Sequence, residues 1–230
     1  RGANRWWSAT GGLTFSLLLE PAADTLHAAL PVATLRAGLA IAQTIEHLSQ
    51  PSPSDRPIGA DRVGLKWPND VHLSGRKVAG LLLEQVADRP GLVVGVGLNV
   101  NQRFDDAPHD VRNLGTSLYE VDGATRDRAA VLIAAARLLI SELSTTDVPL
   151  RQTATGLVES SRSQSGVASE RWVDRFRRRC VLTGRLIQIE TLGSVRSGRC
   201  LGIDDSGRLM LETETGPIAL VSGSVVKILS

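Results

Sequence analysis

The stretch KWPNDVHLSGRKVAGLLLE, Lys66 to Glu84, constrains the fold more than any other part of the sequence. It places two lysines eleven positions apart, a Trp-Pro-Asn-Asp corner between them, and a glycine inside an apolar run. A packing segment has no use for Pro and two Gly among its apolar residues, and a solvated face has no use for Trp67 beside Pro68. The stretch therefore predicts strands that meet at a corner built around a bound ligand.

Composition bounds the class of protein. With 230 residues and 42% apolar content, the chain buries a real core, and its length suits one ordinary domain plus a small appendage. The net charge of +2, from 26 basic and 24 acidic residues, gives no argument for a nucleic-acid or membrane surface. Any polyanion that the protein binds must therefore be met by a local group of charges.

Two features indicate a protein of a reducing, cytoplasmic compartment. No window reaches the roughly 18 apolar residues of a membrane span, and none resembles a signal peptide. The cysteines are only two, Cys180 and Cys200. Because intracellular thiols are normally kept reduced, idle thiols are favoured over a disulfide.

Hydrophobic periodicity predicts one sheet and its helices. Apolar residues recur at helical spacing from Thr34 to Ser49 and again from Arg126 to Thr146, and a further helix is predicted near Gly166 to Arg178. The segments at 50–62 and 102–112 are polar and read as loops. Short apolar runs bounded by turn formers predict strands: LTFSLLLE, VGLKW, KVAGLLLEQVA and GLVVGVGLNVN.

The pattern changes after Val181. Short alternating strands are separated there by Gly, Asp-Ser-Gly and Thr-Gly-Pro turns at close spacing. This predicts a small all-β barrel of about 50 residues, the size of a separate module. We therefore expect an α+β protein with a first domain at 1–178, a mixed β-sheet packed with helices, and a second domain at 179–230.

The corner carries the residues with the clearest chemistry. An enzyme that joins a carboxylate to a polyphosphate must place a cation between two anions, and Lys77, in an apolar run beside Gly80, is the better of the two lysine candidates. Asn69 offers a planar amide that complements the N6/N7 edge of adenine. Asp70 either orients Lys66 or Lys77 or lies near a metal ion. The alternatives are a solvated lysine and an ordinary Pro-Asn-Asp turn.

Two glycine-rich segments add contacts for a flat, phosphate-bearing ligand. Gly95 and Gly97 lie in a strand, where glycine weakens a sheet unless something approaches the backbone closely. The opening RGANRWWS combines Arg1, Arg5 and Trp6 with glycine, and such a loop suits phosphate and an apolar ring system. No third glycine opens a helix after Gly97, so this is not a dinucleotide fingerprint.

Taken in order, RGANRWWS, LKWPND, GRKVAGLLLE, GVGLNVN and LGTSL resemble the biotin–protein ligases, and the match covers most of the chain. The most specific part is KWPND followed within a dozen residues by K-x-A-G-x-L-x-E. The resemblance implies a catalytic domain of the class II synthetase-like type and a small SH3-like C-terminal β-barrel. It also implies a biotin–[acetyl-CoA-carboxylase] ligase that uses ATP and Mg²⁺.

The resemblance further implies a two-step reaction. The biotin carboxylate attacks the α-phosphate of ATP to give biotinyl-5′-AMP, and a lysine of a biotin carboxyl carrier protein then attacks this mixed anhydride. The implied catalytic residues are Lys77 and Arg1. The implied biotin contacts are Arg1, Trp6, Lys77, Gly80, Gly95 and Gly97, and the implied ATP contacts are Arg1, Arg5, Trp6, Lys66, Asn69, Asp70 and Lys77, with Asp70 also a metal candidate.

Several expectations go with this reading. The family's Gly-Arg-Gly-Arg loop is matched only from its second arginine, Arg1, so we expect the chain to be N-terminally incomplete. DNA binding is expected only if an upstream domain supplies it, and a homodimer is possible. The alternatives are a related lipoate or octanoate ligase, with the same adenylation chemistry, and a non-catalytic biotin-binding regulatory module.

Overall fold

A computed structural model describes residue 7 and residues 9–20, 30–48, 63–87, 91–105, 107–144, 170–191 and 193–229. The predictions that concern Arg1, Arg5 and Trp6 fall outside these residues, as does the predicted loop at 50–62. Within the described residues, no helix is long and apolar enough to cross a membrane.

The first sheet contains β1 (Leu13–Leu19), β2 (Val63–Lys66), β3 (Asp70–Leu73), β4 (Arg76–Gln85) and β5 (Leu92–Leu98). The strands lie in the order β1-β5-β4-β3-β2, and each neighbouring pair is antiparallel. The Trp-Pro-Asn corner is the turn of the β2–β3 hairpin, so β3 is a strand that the sequence analysis left inside the corner. Ser74 and Gly75 have φ of 50° and 83° and close the β3–β4 hairpin, where a two-residue turn with positive φ matches the strand twist.

The described helices are α1 (Leu30–Leu48), α2 (His109–Leu114), α3 (Leu118–Asp122), α4 (Arg128–Ser144) and α5 (Trp172–Arg179). Helix α1 packs across β2, β3 and β4, and α4 packs on α1 and reaches β1. The core lies between these two helices and one face of the sheet, where Leu39, Ile41, Val96 and Leu98 are fully or almost fully buried. The predicted arrangement of helices on a sheet is thus confirmed.

Helix boundaries differ from the predictions in several places. Helix α4 is described as Arg128–Ser144, and α5 begins at Trp172, whereas residues 166–169 of the helix predicted near Gly166 to Arg178 lie outside the described residues. Helix α1 begins at Leu30 rather than Thr34, because Pro31 falls in the first turn, where its missing N–H would have no helical partner. Helix α2 begins inside the predicted loop at 102–112, directly after Pro108. The neighbouring α3 begins after Ser117, whose hydroxyl accepts a hydrogen bond from the Glu120 amide and so caps the helix.

The second sheet forms from β6 (Leu186–Thr191), β7 (Ser194–Ile203), β8 (Leu209–Thr213), β9 (Gly216–Leu220) and β10 (Ser224–Ile228). Its antiparallel order is β10-β6-β7-β8-β9, and β10 returns to pair with β6. Ile187, Ile189, Leu209 and Leu211 are fully buried in its interior. The predicted α+β class with a small SH3-like C-terminal unit is confirmed, whereas the boundary at 178/179 stays a prediction.

The β7–β8 turn joins the second sheet to the rest of the protein. Trp67 is 2% exposed, and its Nε1–H donates a hydrogen bond to Gly207 O at 3.2 Å. Gly207 has a φ of 78°, and a Cβ there would lie 2.9 Å from Leu35 of α1, so glycine meets both a backbone and a packing demand. Arg177 Nε donates to Ile203 O at 2.9 Å in the same junction. Trp67, which the sequence analysis took as a sign of a ligand, is a core residue of this junction.

Replacing Trp67 by Phe is expected to lower the free energy of unfolding by about 2 kcal/mol, because the buried Gly207 carbonyl loses its donor. Urea unfolding measures this change. Trp7→Phe is the matched control, since half-buried Trp7 packs on Phe104 with ring centroids 5.0 Å apart. Equal losses in the two variants would contradict a special role for the Trp67 indole at the junction.

Candidate active site

One row of residues crosses the first sheet from edge to edge. The strand register pairs Thr14 with Gly97, Gly97 with Gly80, Gly80 with Asp70, and Asp70 with Lys66. Two glycines therefore lie side by side on the central strands, with a carboxylate and an ammonium group on one flank and a hydroxyl on the other. Side chains of neighbouring strands in such a row stand about 5 Å apart, close enough to share one ligand.

This row lies on the face of the sheet opposite α1 and α4, which we call the open face. Alternation along β5 buries Val94, Val96 and Leu98 against the helices and turns Gly95 and Gly97 to the other side. A second row of the open face pairs Ser16 with Gly95 and Gly95 with Leu82. The three glycines at positions 80, 95 and 97 form a strip without side chains, which is what a flat ligand lying on a sheet requires.

A bulge in β4 brings Lys77 onto the open face. Lys77 and Gly80 are three positions apart, so in a regular strand they would point to opposite faces. Here Asp70 pairs with Gly80 and Val71 with Ala79, but His72 pairs with Lys77, so Val78 is the extra residue. Val78 and Ala79 are both buried, and Lys77 shares the face of Asp70 and Gly80.

Lys77 and Asp70 form the central ion pair of the open face. Lys77 Nζ lies 2.5 Å from Asp70 Oδ1, and the two side chains are 35% and 19% exposed. The ammonium group is thus held by a partner and still reachable from the solvent side of the sheet. Such a pair presents a fixed positive charge next to the glycine strip, as the interpretation of Asp70 as an orienting residue requires.

Two further basic groups surround this pair. Burial lowers the pKa of Lys66, and the positive charge of Lys77 lowers it further, while Asp70 opposes both effects. Burial also lowers the pKa of His72, although Asp70 and the Gly75 carbonyl, which lies 3.3 Å from Nδ1, act in the opposite direction. Sequence reasoning missed His72, although its position two residues after Asp70 puts it on the same face.

Asn69 is held beside the row by the backbone of β4. Its Nδ2 donates to Leu81 O at 2.7 Å, and the Leu81 amide donates to Asn69 O at 3.0 Å. These contacts use one of the two side-chain N–H groups and orient the amide plane. The second N–H and the Oδ1 acceptor are the two groups that the N7/N6 edge of adenine needs.

A buried polar network supports the end of β5. Asn99 Nδ2 donates to Thr116 O at 2.8 Å, Gln102 Nε2 donates to Asn99 Oδ1 at 2.5 Å, and the Val100 amide donates to Gln102 Oε1 at 3.0 Å. Asn99, Gln102 and Thr116 are each at most 5% exposed. Asn99 of GVGLNVN thus meets Thr116 of the LGTSL motif here, and the two satisfy the need of buried polar groups for hydrogen-bond partners.

The structure therefore brings together on or beside the open face the predicted residues Lys66, Asn69, Asp70, Lys77, Gly80, Gly95 and Gly97. The roles of all these residues remain predictions, and Arg1, Arg5 and Trp6 lie outside the described residues. Among the described residues, no group of three His, Cys, Asp or Glu side chains could hold a metal ion, so Asp70 has no such companions there.

Two protein-family models match the chain, one in its N-terminal half and one near its C-terminus. Residues 1–101 match the model of the biotin/lipoate A/B protein ligase family, and residues 183–227 match the biotin protein ligase C-terminal domain. The chain belongs to the biotin protein ligase family. The first match contains the whole open face, and the second begins just before β6 and ends in β10 of the SH3-like sheet.

Curated relatives of this chain have names that belong to the same family. A bifunctional ligase/repressor BirA of Bacillus spizizenii is 30% identical over 225 residues, which are 96% of this chain and 60% of the relative. A biotin–[acetyl-CoA-carboxylase] ligase of Mycobacterium tuberculosis is 31% identical over 194 residues, which are 84% of this chain and 61% of the relative. This family member thus spans about three fifths of the length of these relatives.

A solved structure shares the fold. The biotin protein ligase from Aquifex aeolicus in complex with biotin and ATP superposes with a TM-score of 0.70 at 25% identity, covering 97% of this chain and 81% of the other. A second structure of that ligase, in its apo state, gives a TM-score of 0.71 over 94% of this chain and 83% of the other. The arrangement of both sheets and their helices is thus that of a biotin protein ligase.

Proposed function

We propose that this chain activates biotin with ATP to biotinyl-5′-AMP and transfers the biotinyl group to a lysine of a biotin carboxyl carrier protein. The observation that carries the proposal is the Lys77–Asp70 ion pair, at 2.5 Å, beside the strip of Gly80, Gly95 and Gly97. A flat ring system needs the strip, and a carboxylate that approaches a phosphate needs the cation. Membership of the family and the biotin and ATP bound by the Aquifex relative support this assignment.

In the proposed first step, the biotin ring system lies along the glycine strip with its carboxylate directed to Lys77. The carboxylate oxygen attacks the α-phosphorus of ATP, an acyl–phosphate bond forms, and pyrophosphate leaves. Both reactants are anions, so the step needs a positive charge between them. Lys77 supplies that charge, and Asp70 keeps the ammonium group in place before the negative charge of the transition state develops.

ATP is proposed to approach from the β2–β3 side of the open face, with adenine at the Asn69 amide and phosphates near Lys66 and Lys77. Mg²⁺ prefers oxygen ligands and commonly binds through one or two carboxylates together with substrate phosphates. Asp70 fits that pattern as a single carboxylate oxygen donor, so we propose Mg²⁺ as a companion of ATP. The ion would supply charge neutralisation at the phosphates.

In the proposed second step, the lysine amine of the carrier protein attacks the acyl carbon of the adenylate, and AMP leaves. The protein forms no covalent intermediate of its own in this scheme. The division into a catalytic domain at 1–178 and an SH3-like domain at 179–230 belongs to the same proposal, as does a cytoplasmic location. Homodimerisation, and DNA binding through an upstream domain, stay predictions for this chain.

One experiment distinguishes the proposed function from the two alternatives, a lipoate or octanoate ligase and a non-catalytic biotin-binding module. Pyrophosphate release from ATP is measured with biotin, lipoate or octanoate as the only acyl acid, and transfer to a carrier domain is followed by mass spectrometry. We expect pyrophosphate release when biotin is the acyl acid and none with lipoate or octanoate, because the match at residues 183–227 is to a biotin ligase domain. Release with lipoate or octanoate instead would assign a related acyl ligase, and biotin binding without release would assign a regulatory module.

Replacing Asn69 by Ala is expected to raise the KM for ATP about tenfold and leave the KM for biotin unchanged, because the amide is placed to read the adenine edge. Comparing ATP with inosine triphosphate as the substrate gives a sharper readout, since the inosine base has a carbonyl where adenine has its amino group. We expect the preference for ATP to disappear in the variant.

The matched control is Asn113→Ala, which removes an exposed asparagine from α2. Thermal unfolding of both variants measures the structural cost of the lost Asn69–Leu81 contact. If Asn69→Ala weakens ATP and biotin equally while the ATP preference persists, Asn69 supports the hairpin and does not read the base.

A further inference from the structure

Arg76, which directly precedes Lys77 in β4, carries a charge that the proposed mechanism does not use. Neighbouring residues of a strand point to opposite faces, and Arg76 pairs with the buried Leu73, so its side chain leaves β4 on the face opposite to that of Lys77. There its Nη1–H donates to Gly115 O at 3.3 Å and lies 3.6 Å from Glu120 Oε2 of α3. Arg76 thus contacts the segment that precedes α3 and is directed away from the open face.

The segment that Arg76 contacts is also the backbone partner of Lys77. Strand β5 ends at Leu98, and beyond it Gly115 and Thr116, which we call the clamp segment, take its place beside β4. Gly115 forms a parallel bridge with Lys77, and the Thr116 amide donates to Lys77 O at 2.9 Å. On its other side, Lys77 pairs with His72 of β3. The backbone of Lys77 is therefore fixed between β3 and the clamp segment, next to the bulge that turns its side chain onto the open face.

Glu120 anchors the other end of the Arg76 contact. Its Oε1 accepts a hydrogen bond from the Phe104 amide at 2.9 Å, while its Oε2 faces Arg76. The Phe104 ring is buried and lies against Gly115, where a Cβ would collide with the ring atom Cε1. The carboxylate, the ring and the glycine thus restrict the position of the clamp segment, because a close-packed contact leaves little room for displacement.

We propose that Arg76 is a positioning residue for the adenylation step, which sets the place of the Lys77 ammonium group by holding the clamp segment against β4. This role rests on the proposed function, because it acts through the cation that the biotin carboxylate and ATP need. A guanidinium group suits the role, since its planar fork donates to a carbonyl and faces a carboxylate at the same time. The effect belongs in the rate, because a displacement of about 1 Å at a reacting group can slow a reaction by about 10²-fold.

Replacing Arg76 by Ala tests the proposal in the full chain. We expect kcat for biotin-dependent pyrophosphate release to fall about tenfold and the KM values for biotin and ATP to stay within about twofold, because no group assigned to either ligand is removed. Arg76→Lys should recover part of the lost rate, since it keeps the charge at Glu120 but not the planar fork. The matched control is Arg196→Ala, which removes an exposed arginine from β7.

A double-mutant cycle with Lys77 separates a positioning role from a merely structural one. If Arg76 acts through Lys77, its removal has nothing left to displace in Lys77→Ala. The double variant should therefore be no more than about twofold slower than Lys77→Ala alone. A further loss of about tenfold in the double variant would overturn the proposal. So would an unchanged kcat in Arg76→Ala.

Amide hydrogen exchange of the ligand-free protein gives a readout that does not depend on activity. The Thr116 amide, which donates to Lys77 O, should exchange about tenfold faster in Arg76→Ala, whereas the Asn99 amide, which donates to Val78 O at 2.9 Å, should keep its rate. Unchanged exchange at Thr116, or equal acceleration at both amides, would overturn the clamp even where the unmodified protein releases pyrophosphate with biotin. Absence of that release in the unmodified protein would instead overturn the proposed function, and the positioning role with it.

Discussion

Replacing Lys77 by Ala is expected to lower the rate of biotinyl-adenylate formation by about 10² to 10³ fold, the usual cost of one preorganised charge at a reacting centre. The physical reason is the position of the ammonium group, 2.5 Å from Asp70 and beside the glycine strip, which has no side chains of its own. Biotin binding should be weakened but measurable, because the strip itself is unchanged. Pyrophosphate release in single-turnover experiments measures the step directly.

The chain offers a matched control, because it has only three lysines. Lys227 is exposed on β10 of the second sheet, and Lys227→Ala removes the same charge without touching the open face. Lys77→Arg keeps the charge but changes its geometry, so an intermediate rate is expected. Near-normal release by Lys77→Ala, or an equal loss in Lys227→Ala, would show that Lys77 is a surface lysine.

Replacing Gly97 by Val is expected to reduce biotin affinity by about 100-fold or more, while ATP affinity changes little. Gly97 is on β5, paired with Thr14 on one side and Gly80 on the other. A β-branched side chain there would rise from the middle of the strip and occupy the volume that a flat ligand needs. Calorimetry with biotin and with ATP, each alone, measures the two affinities.

Two further variants test whether the effect is steric. Gly97→Ala adds a single methyl group and should give a smaller loss of biotin affinity. Ser197→Val places the same valine at an exposed position of β7, so it controls for a β-branched residue in an exposed strand. Equal loss of biotin and ATP in Gly97→Val, together with a lower melting temperature, would indicate a folding defect. Unchanged biotin affinity would make Gly97 a structural glycine.

The site could be predicted from sequence as a set of residues but not as an arrangement. Lys77 and Gly80 stand out in the sequence because their residue types are costly in an apolar segment, and Asn69 stands out because its amide complements adenine. Whether Lys77 and Gly80 share a face depends on the bulge at Val78, which exists only when β3 and β4 pair. A strictly alternating interpretation of β4 would have placed them on opposite faces.

Trp67 is a second residue whose role could not be predicted from its neighbours in the sequence. Its sequence neighbours suggested a ligand, since an indole beside Pro68 and two lysines has no local packing partner. Its actual partner is the Gly207 carbonyl, 140 positions away on the β7–β8 turn. A contact between such distant segments leaves no periodic signal in either segment, so only the folded chain reveals it.

By itself, the sequence determined the properties that arise within one segment: the apolar stripes of α1 and α4, the alternation of the strands, the close turns after Val181 and the order of the family motifs. Each is a local property, set by side-chain size and backbone freedom over a few residues. Only the tertiary structure decided that Thr14, Gly97, Gly80, Asp70 and Lys66 form one row. Register between strands is fixed by which core the whole sheet must bury, and a shift of one residue would have turned the row toward α1.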